Sequence, residues 1–124
     1  MQHNSEFLKL VSNARKAIKE CSVYDLKKEL DGGNKNYLIV DVREESEYAA
    51  DHVPGAVHMG RGVIEVKIEQ LIPNKEQPMM LYCGGGFRSA LVAESIQKMG
   101  YTGAISVDGG MRGWKTENYP MTQA

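Results

Sequence analysis

The residues most able to do chemistry in this chain are Cys83-Gly84-Gly85-Gly86-Phe87-Arg88-Ser89. A cysteine supplies a strong nucleophile once it is a thiolate. Three adjacent glycines keep side chains out of the turn that follows and let its backbone take positive φ. Such a turn can aim successive N–H groups inward as an anion-binding nest. A helix starting there adds the positive end of its macrodipole. These groups favour a thiolate and would also hold a bound sulfur anion or oxyanion. Arg88 contributes a permanent positive charge at the helix start, and it can reach back to brace the loop through its carbonyls. An isolated cysteine beside a glycine turn would read as structural. The order strand, cysteine, glycine-rich loop, arginine, helix reads instead as a reactive Cys83 whose thiol pKa is lowered by the dipoles around it.

That reading requires particular elements around the loop. Met79-Met80-Leu81-Tyr82 is an apolar run that predicts a buried strand delivering Cys83. Leu91, Val92, Ser95, Ile96 and Met99 then follow at helical spacing, with Gly100 as the stop. In a parallel α/β sheet, ligand sites form at the carboxyl ends of strands, which is where Cys83 falls.

Upstream, the spacing of Phe7, Leu8, Val11, Ala14 and Ile18 predicts a helix over residues 5–20. This helix either packs on its own domain or serves as a dimerisation or docking helix. Ser22 with Asp25 three residues on predicts a capped second helix that ends at Gly32-Gly33. Tyr37 to Val40 reads as a buried strand stopping at Asp41, residues 44–50 as a short helix, Pro54-Gly55 as a turn and residues 56–59 as a short strand. Gly60-Arg61-Gly62 reads as a flexible loop, followed by a helical stretch through Ile64, Ile68 and Leu71, and residues 104–107 form the last strand. Strands alternating with helices predict an α/β fold: a mainly parallel central sheet with helices on both faces, plus the N-terminal helix.

Composition narrows the functional classes. At 124 residues the chain is expected to build one domain. Lys plus Arg number 15 against 16 for Asp plus Glu, which argues against a general nucleic-acid binder or a polybasic membrane anchor. Charged residues interrupt the first twenty positions, and no apolar run approaches the ~18 residues of a membrane span, so the expected compartment is the cytoplasm, where thiols persist. The two cysteines, Cys21 and Cys83, form no CxxC or zinc-like cluster, and Cys21 beside a helix cap reads as a spectator. His52 and His58 lack ligand spacing, so no metal is expected. Asp41 and Arg43 are expected to brace neighbouring loops. Phe87 either meets an acceptor protein or packs on a neighbouring segment, and Trp114 reads as a packing anchor.

Three motifs, in order, resemble the rhodanese family. Cys83 to Ser89 fits its C-x-x-G-x-R-S loop. Asp41-Val42-Arg43-Glu44, Glu47-Tyr48 and His52-Val53-Pro54-Gly55-Ala56 make a second signature, and Gly109-Gly110 with Trp114 and Pro120 a third. The resemblance covers residues 22–120 and implies residues 1–21 as a helical extension and 22–124 as the rhodanese domain. It implies a sulfurtransferase: a donor such as thiosulfate leaves its outer sulfur on Cys83 as a persulfide, and a thiol or cyanide takes it. No cofactor is needed. The implied partners are a small sulfur donor and a thiol or protein acceptor, with a homodimer through the N-terminal helix as a further option. The family often has Gly where Asp51 stands, and Gly before the final Pro where Asn118-Tyr119 stands; Asp51 is expected to tolerate a left-handed turn. The loop carries no basic side chain before Arg88, so Arg61 is the candidate for extra substrate charge. Two rival readings compete with this one. Cysteine phosphatases and arsenate reductases place five residues between Cys and Arg, whereas this chain has four, a smaller ring better suited to sulfur than to phosphate. A non-catalytic interaction module is disfavoured by the retained cysteine.

Overall fold

The computed structural model describes residues 3–123. Within them the chain forms α1 (Ser5–Arg15), β1 (Lys19–Cys21), α2 (Val23–Asp31), β2 (Leu38–Asp41), α3 (Glu45–Ala50), β3 (Val57–His58), α4 (Ile64–Leu71), β4 (Met79–Tyr82), α5 (Phe87–Lys98), β5 (Ala104–Val107) and α6 (Gly110–Thr116). The five strands make one sheet in the order β1-β5-β4-β2-β3, and every pairing is parallel. β4, the strand leading to Cys83, is therefore central.

Alternation along the strands divides the core. On one face Val40 and Leu81 pack with Ile64 and Ile68 of α4 and with Val92 and Ile96 of α5. On the other, Ile39, Met80 and Tyr82 pack with Leu26 of α2 and with Met111 and Trp114 of α6. Burial on both faces explains why β4 is apolar throughout. α1 forms an outer layer, with its Val11 and Ala14 buried against Ala90 and Leu91 of α5. Val11 and Ala14 of its apolar stripe are thus used within its own domain, while Leu8 is exposed.

The N-terminal helix is shorter than its periodicity predicts. It ends at Arg15, and residues 19–21 form the edge strand β1, whose Cys21 pairs with Val107 of β5. Ile18 misleads the reading: it continues the helical stripe but packs at the junction of the two core clusters beneath α1 and α5. A three-residue edge strand is too short to show alternation. The segment before residue 22 thus supplies a strand as well as a helix. The sequence periodicity also does not predict the short helix α6. The capping box at Ser22 and Asp25 forms as expected, with Asp25 N–H donating to Ser22 Oγ at 3.2 Å and Ser22 N–H to Asp25 Oδ2 at 2.9 Å.

The two departures from the family pattern resolve differently. Asp51 is extended, with φ −164°, so no left-handed turn is required of it. Asn118 does take a left-handed conformation, φ 56°, which asparagine tolerates and which suits a position often occupied by glycine. The turn lets Tyr119 pack on Trp114 and brings the Pro120 carbonyl to accept from Trp114 Nε1 at 2.7 Å.

A buried polar knot ties β2, β4 and the loops around them. Asp41 Oδ2 accepts from Tyr82 Oη at 2.7 Å and from Arg43 Nη2 at 2.9 Å, and Tyr82 Oη accepts from Val53 N–H at 3.0 Å. Arg43 also donates to the Asp51 carbonyl. Burial and the Asp41 carboxylate push the Tyr82 phenol well above its ordinary range, so it remains a donor. Tyr82→Phe would leave the carboxylate one donor short and the Val53 N–H without an acceptor. The expected loss is about 1–3 kcal/mol, read as a lower urea midpoint at unchanged m-value.

Candidate active site

Cys83 follows β4 directly and is 1 % exposed. Its Sγ accepts from the backbone N–H of Gly86 at 3.2 Å and of Ser89 at 3.3 Å, and lies 3.5 Å from Ser89 Oγ. Ser89 Oγ in turn lies 2.9 Å from Ser106 Oγ on β5, and both serines are fully buried. The sulfur is thus held by the first turn of α5, at the positive end of that helix.

The loop needs glycine at Gly86, which caps α5 with φ 96°. A Cβ there would also press on Gly109 N at 3.1 Å. The far side of the loop is held by α6. Met111 N–H donates to the Cys83 carbonyl at 2.8 Å and Arg112 N–H to the Gly84 carbonyl at 2.9 Å. α6 can approach this closely because Gly110, at φ 49°, has no Cβ to strike the Cys83 carbonyl. The Gly109-Gly110 motif therefore serves the Cys83 loop, by occupying its carbonyls while its N–H groups turn toward sulfur.

Arg88 does not brace the loop carbonyls as anticipated. Its fork engages Glu47 of α3, Nη1 to Oε1 at 2.8 Å and Nη2 to Oε2 at 3.2 Å. This pairing holds the Glu47 carboxyl below the usual carboxylate range and ties the second sequence signature to the first. Most of the Arg88 charge is therefore matched internally.

A cleft of about 470 Å³ opens over the loop. Cys83, Gly84 and Gly85 form its floor region together with Arg88 and Glu47, and Arg61 reaches it. Arg112 also lines it, with its guanidinium over Gly85: a Cβ on that glycine would lie 3.3 Å from Nη1. Sequence reasoning missed Arg112. Its only signal is its place between Gly110 and Trp114, on a helix that the periodicity does not predict. Arg61 and Arg112 are exposed and join none of the salt bridges formed among the described residues.

The remaining singled-out residues have structural partners. Phe87 packs edge-on against Phe7, with centroids 6.2 Å apart, and against His3 at 4.7 Å. His52 stacks on Tyr48 at 3.8 Å, and its Nδ1 lies 2.9 Å from the Tyr48 carbonyl. His58 Nε2 lies 2.7 Å from the Arg43 carbonyl. Cys21 is half-buried away from the cleft; burial first, then Asp25 and Glu20, push its thiol up to about 12.

Residues 22–117 match the family model described as the rhodanese-like domain. The chain belongs to that family. It is 37% identical over 103 residues to "Putative sulfurtransferase YtwF" of Bacillus subtilis, covering 83% of this chain and 96% of that protein. It is similar in structure to the polysulfide-sulfur transferase homodimer of Wolinella succinogenes, with TM-score 0.77 and 26% identity over 97% of this chain and 89% of that one. A Rhodopseudomonas palustris protein of unknown function, described as a possible tyrosine phosphatase, matches at TM-score 0.86 and 24% identity over 98% of both chains; this likeness is one of fold alone. No helix among the described residues is long and apolar enough to cross a membrane.

The Glu47–Arg88 pair has a pH signature. Because the folded state holds Glu47 below its unfolded value of about 4.3, its stabilisation is complete above that value and is lost as pH falls through the lower folded one. Glu47→Gln should therefore be less stable than wild type at neutral pH, and the two should converge in acid. Urea unfolding across a pH series checks this.

Proposed function

We propose that this rhodanese-type sulfurtransferase carries sulfane sulfur as a persulfide on Cys83, taken from an anionic donor such as thiosulfate and passed to a thiol or cyanide. The carrying observation is the convergence of the Gly86 and Ser89 N–H groups on Cys83 Sγ beneath an open cleft. In the first step the Cys83 thiolate attacks the outer sulfur of thiosulfate. The S–S bond breaks, sulfite leaves with its electron pair, and Cys83 holds a persulfide anion. In the second step the acceptor nucleophile attacks the outer sulfur and the Cys83 thiolate is restored. Backbone donors at sulfur stabilise the anion in every state of this cycle. Asp41 and Arg43 act as structural support, while Arg61 and Arg112 supply the charge that draws an anionic donor in. The chemistry requires no cofactor, and a reducing compartment such as the cytoplasm suits it.

The phosphatase reading is weaker on two counts. The ring from Cys83 to Arg88 is short, with four residues between them. The Arg88 fork is also bonded to Glu47 rather than free to grip a phosphoryl oxygen.

Cys83→Ser should abolish thiosulfate-dependent thiocyanate formation while thermal unfolding changes little. Mass spectrometry of thiosulfate-treated wild type should find one added sulfur on Cys83 and none on Cys21, whose thiol stays protonated. Turnover by the mutant, or sulfur on Cys21, would contradict the mechanism.

Ring size gives a second test. One more glycine between Gly86 and Phe87 adds up to ~3.5 Å of chain, enough to separate the two donors that now share one sulfur. Losing one such donor costs ~10²-fold in rate, so sulfur transfer should fall by about that factor. A wild-type rate in the insertion variant would show that ring size does not set the chemistry.

A further inference from the structure

The segment that precedes the family-matched residues builds part of the catalytic cleft. His3 and Phe7 line the same cleft as Cys83, yet both lie before residue 22, where the rhodanese-like match begins. Their position is fixed rather than incidental. Val11 and Ala14 anchor α1 on α5. Arg15 reaches Asp108 Oδ1 at 3.4 Å, and its guanidinium lies 5.2 Å from the Phe87 ring centroid. Phe7, His3 and Phe87 then pack tilted or edge-on to one another, and Phe87 is the residue on which α5 begins, directly after the catalytic turn.

The cleft therefore combines two chemistries. Arg61 and Arg112 offer unpaired positive charge, and the aromatic cluster offers apolar, polarisable surface. A small fully hydrated anion such as thiosulfate can use only the first. An anionic sulfane donor joined to an apolar body uses both, because its body buries against the rings and its sulfur meets aromatic edges.

We infer that Phe7 is a specificity-determining residue, and that α1 shapes the cleft for anionic sulfane donors with an apolar body, the organic thiosulfonate class. This rests on the reading of Cys83 as the sulfur carrier. With benzenethiosulfonate the thiolate attacks the outer sulfur, the S–S bond breaks, benzenesulfinate leaves with its electron pair, and Cys83 holds the same persulfide.

The test reads kcat/KM for benzenethiosulfonate relative to thiosulfate, with cyanide as acceptor throughout. Taking the ratio removes changes common to both donors. Phe7→Ala should lower the ratio roughly three- to tenfold, the size expected for losing an aromatic contact, chiefly through KM for benzenethiosulfonate. Phe7→Gln keeps side-chain length without the ring and should lower it alike. Arg112→Ala should depress both donors and leave the ratio near wild type. An unchanged ratio in both Phe7 variants, or an equal fall in Arg112→Ala, overturns the inference while persulfide formation on Cys83 still stands. If neither donor leaves sulfur on wild-type Cys83, the sulfur-carrier reading fails, and this inference with it.

Discussion

A sulfur atom buried at the end of a central strand needs hydrogen-bond donors, and here the chain immediately after it supplies them. Gly86 and Ser89 do so, at 3.2 and 3.3 Å. The chain must turn around the sulfur within three residues and enter a helix at once, which demands the left-handed backbone of Gly86. Backbone donors are also preorganised: they need no side-chain entropy to stay in place. The parallel sheet, with β4 between β2 and β5, holds the start of this turn and the helix that ends it in one frame.

A tight loop of this kind would still expose its own carbonyls, and neighbouring elements answer that need. The first N–H groups of α6 take the carbonyls of Cys83 and Gly84. The Glu47–Arg88 pair ties α5 to α3, and the Asp41–Arg43–Tyr82 knot ties β2 and β4 to the segment around Asp51 and Val53. The three signatures, scattered over the sequence, thus form a single support for one loop. Ser89 and Ser106 extend it beneath the sulfur, where a hydroxyl pair satisfies itself in an otherwise apolar layer.

The charges divide their labour by location. Arg88 faces a carboxylate and serves position; Arg61 and Arg112 line the cleft. The cysteines differ likewise in surroundings. Burial and two nearby carboxylates push the Cys21 thiol up, whereas two backbone N–H groups converge on Cys83 Sγ at the start of a helix.

Much was legible without coordinates. The apolar run before Cys83, the glycines after it and the helical spacing of Leu91, Val92 and Ile96 determine the strand, turn and helix of the site, because period and φ preference are properties of neighbouring residues. The capping box at Ser22 is local in the same sense. Other features depend on partners far along the chain. That Arg88 bonds Glu47 and not its own loop, that Arg112 lies over Gly85, that residues 19–21 leave the helix to pair with β5, and that Phe7 walls the cleft were all decided by tertiary structure. Each joins groups at least 27 positions apart, and no local preference selects among the partners a folded surface brings within reach. Local spacing determined where Cys83 sits; only the packing of α1, α3 and α6 around it decided which charges and which apolar surface line the cleft above it.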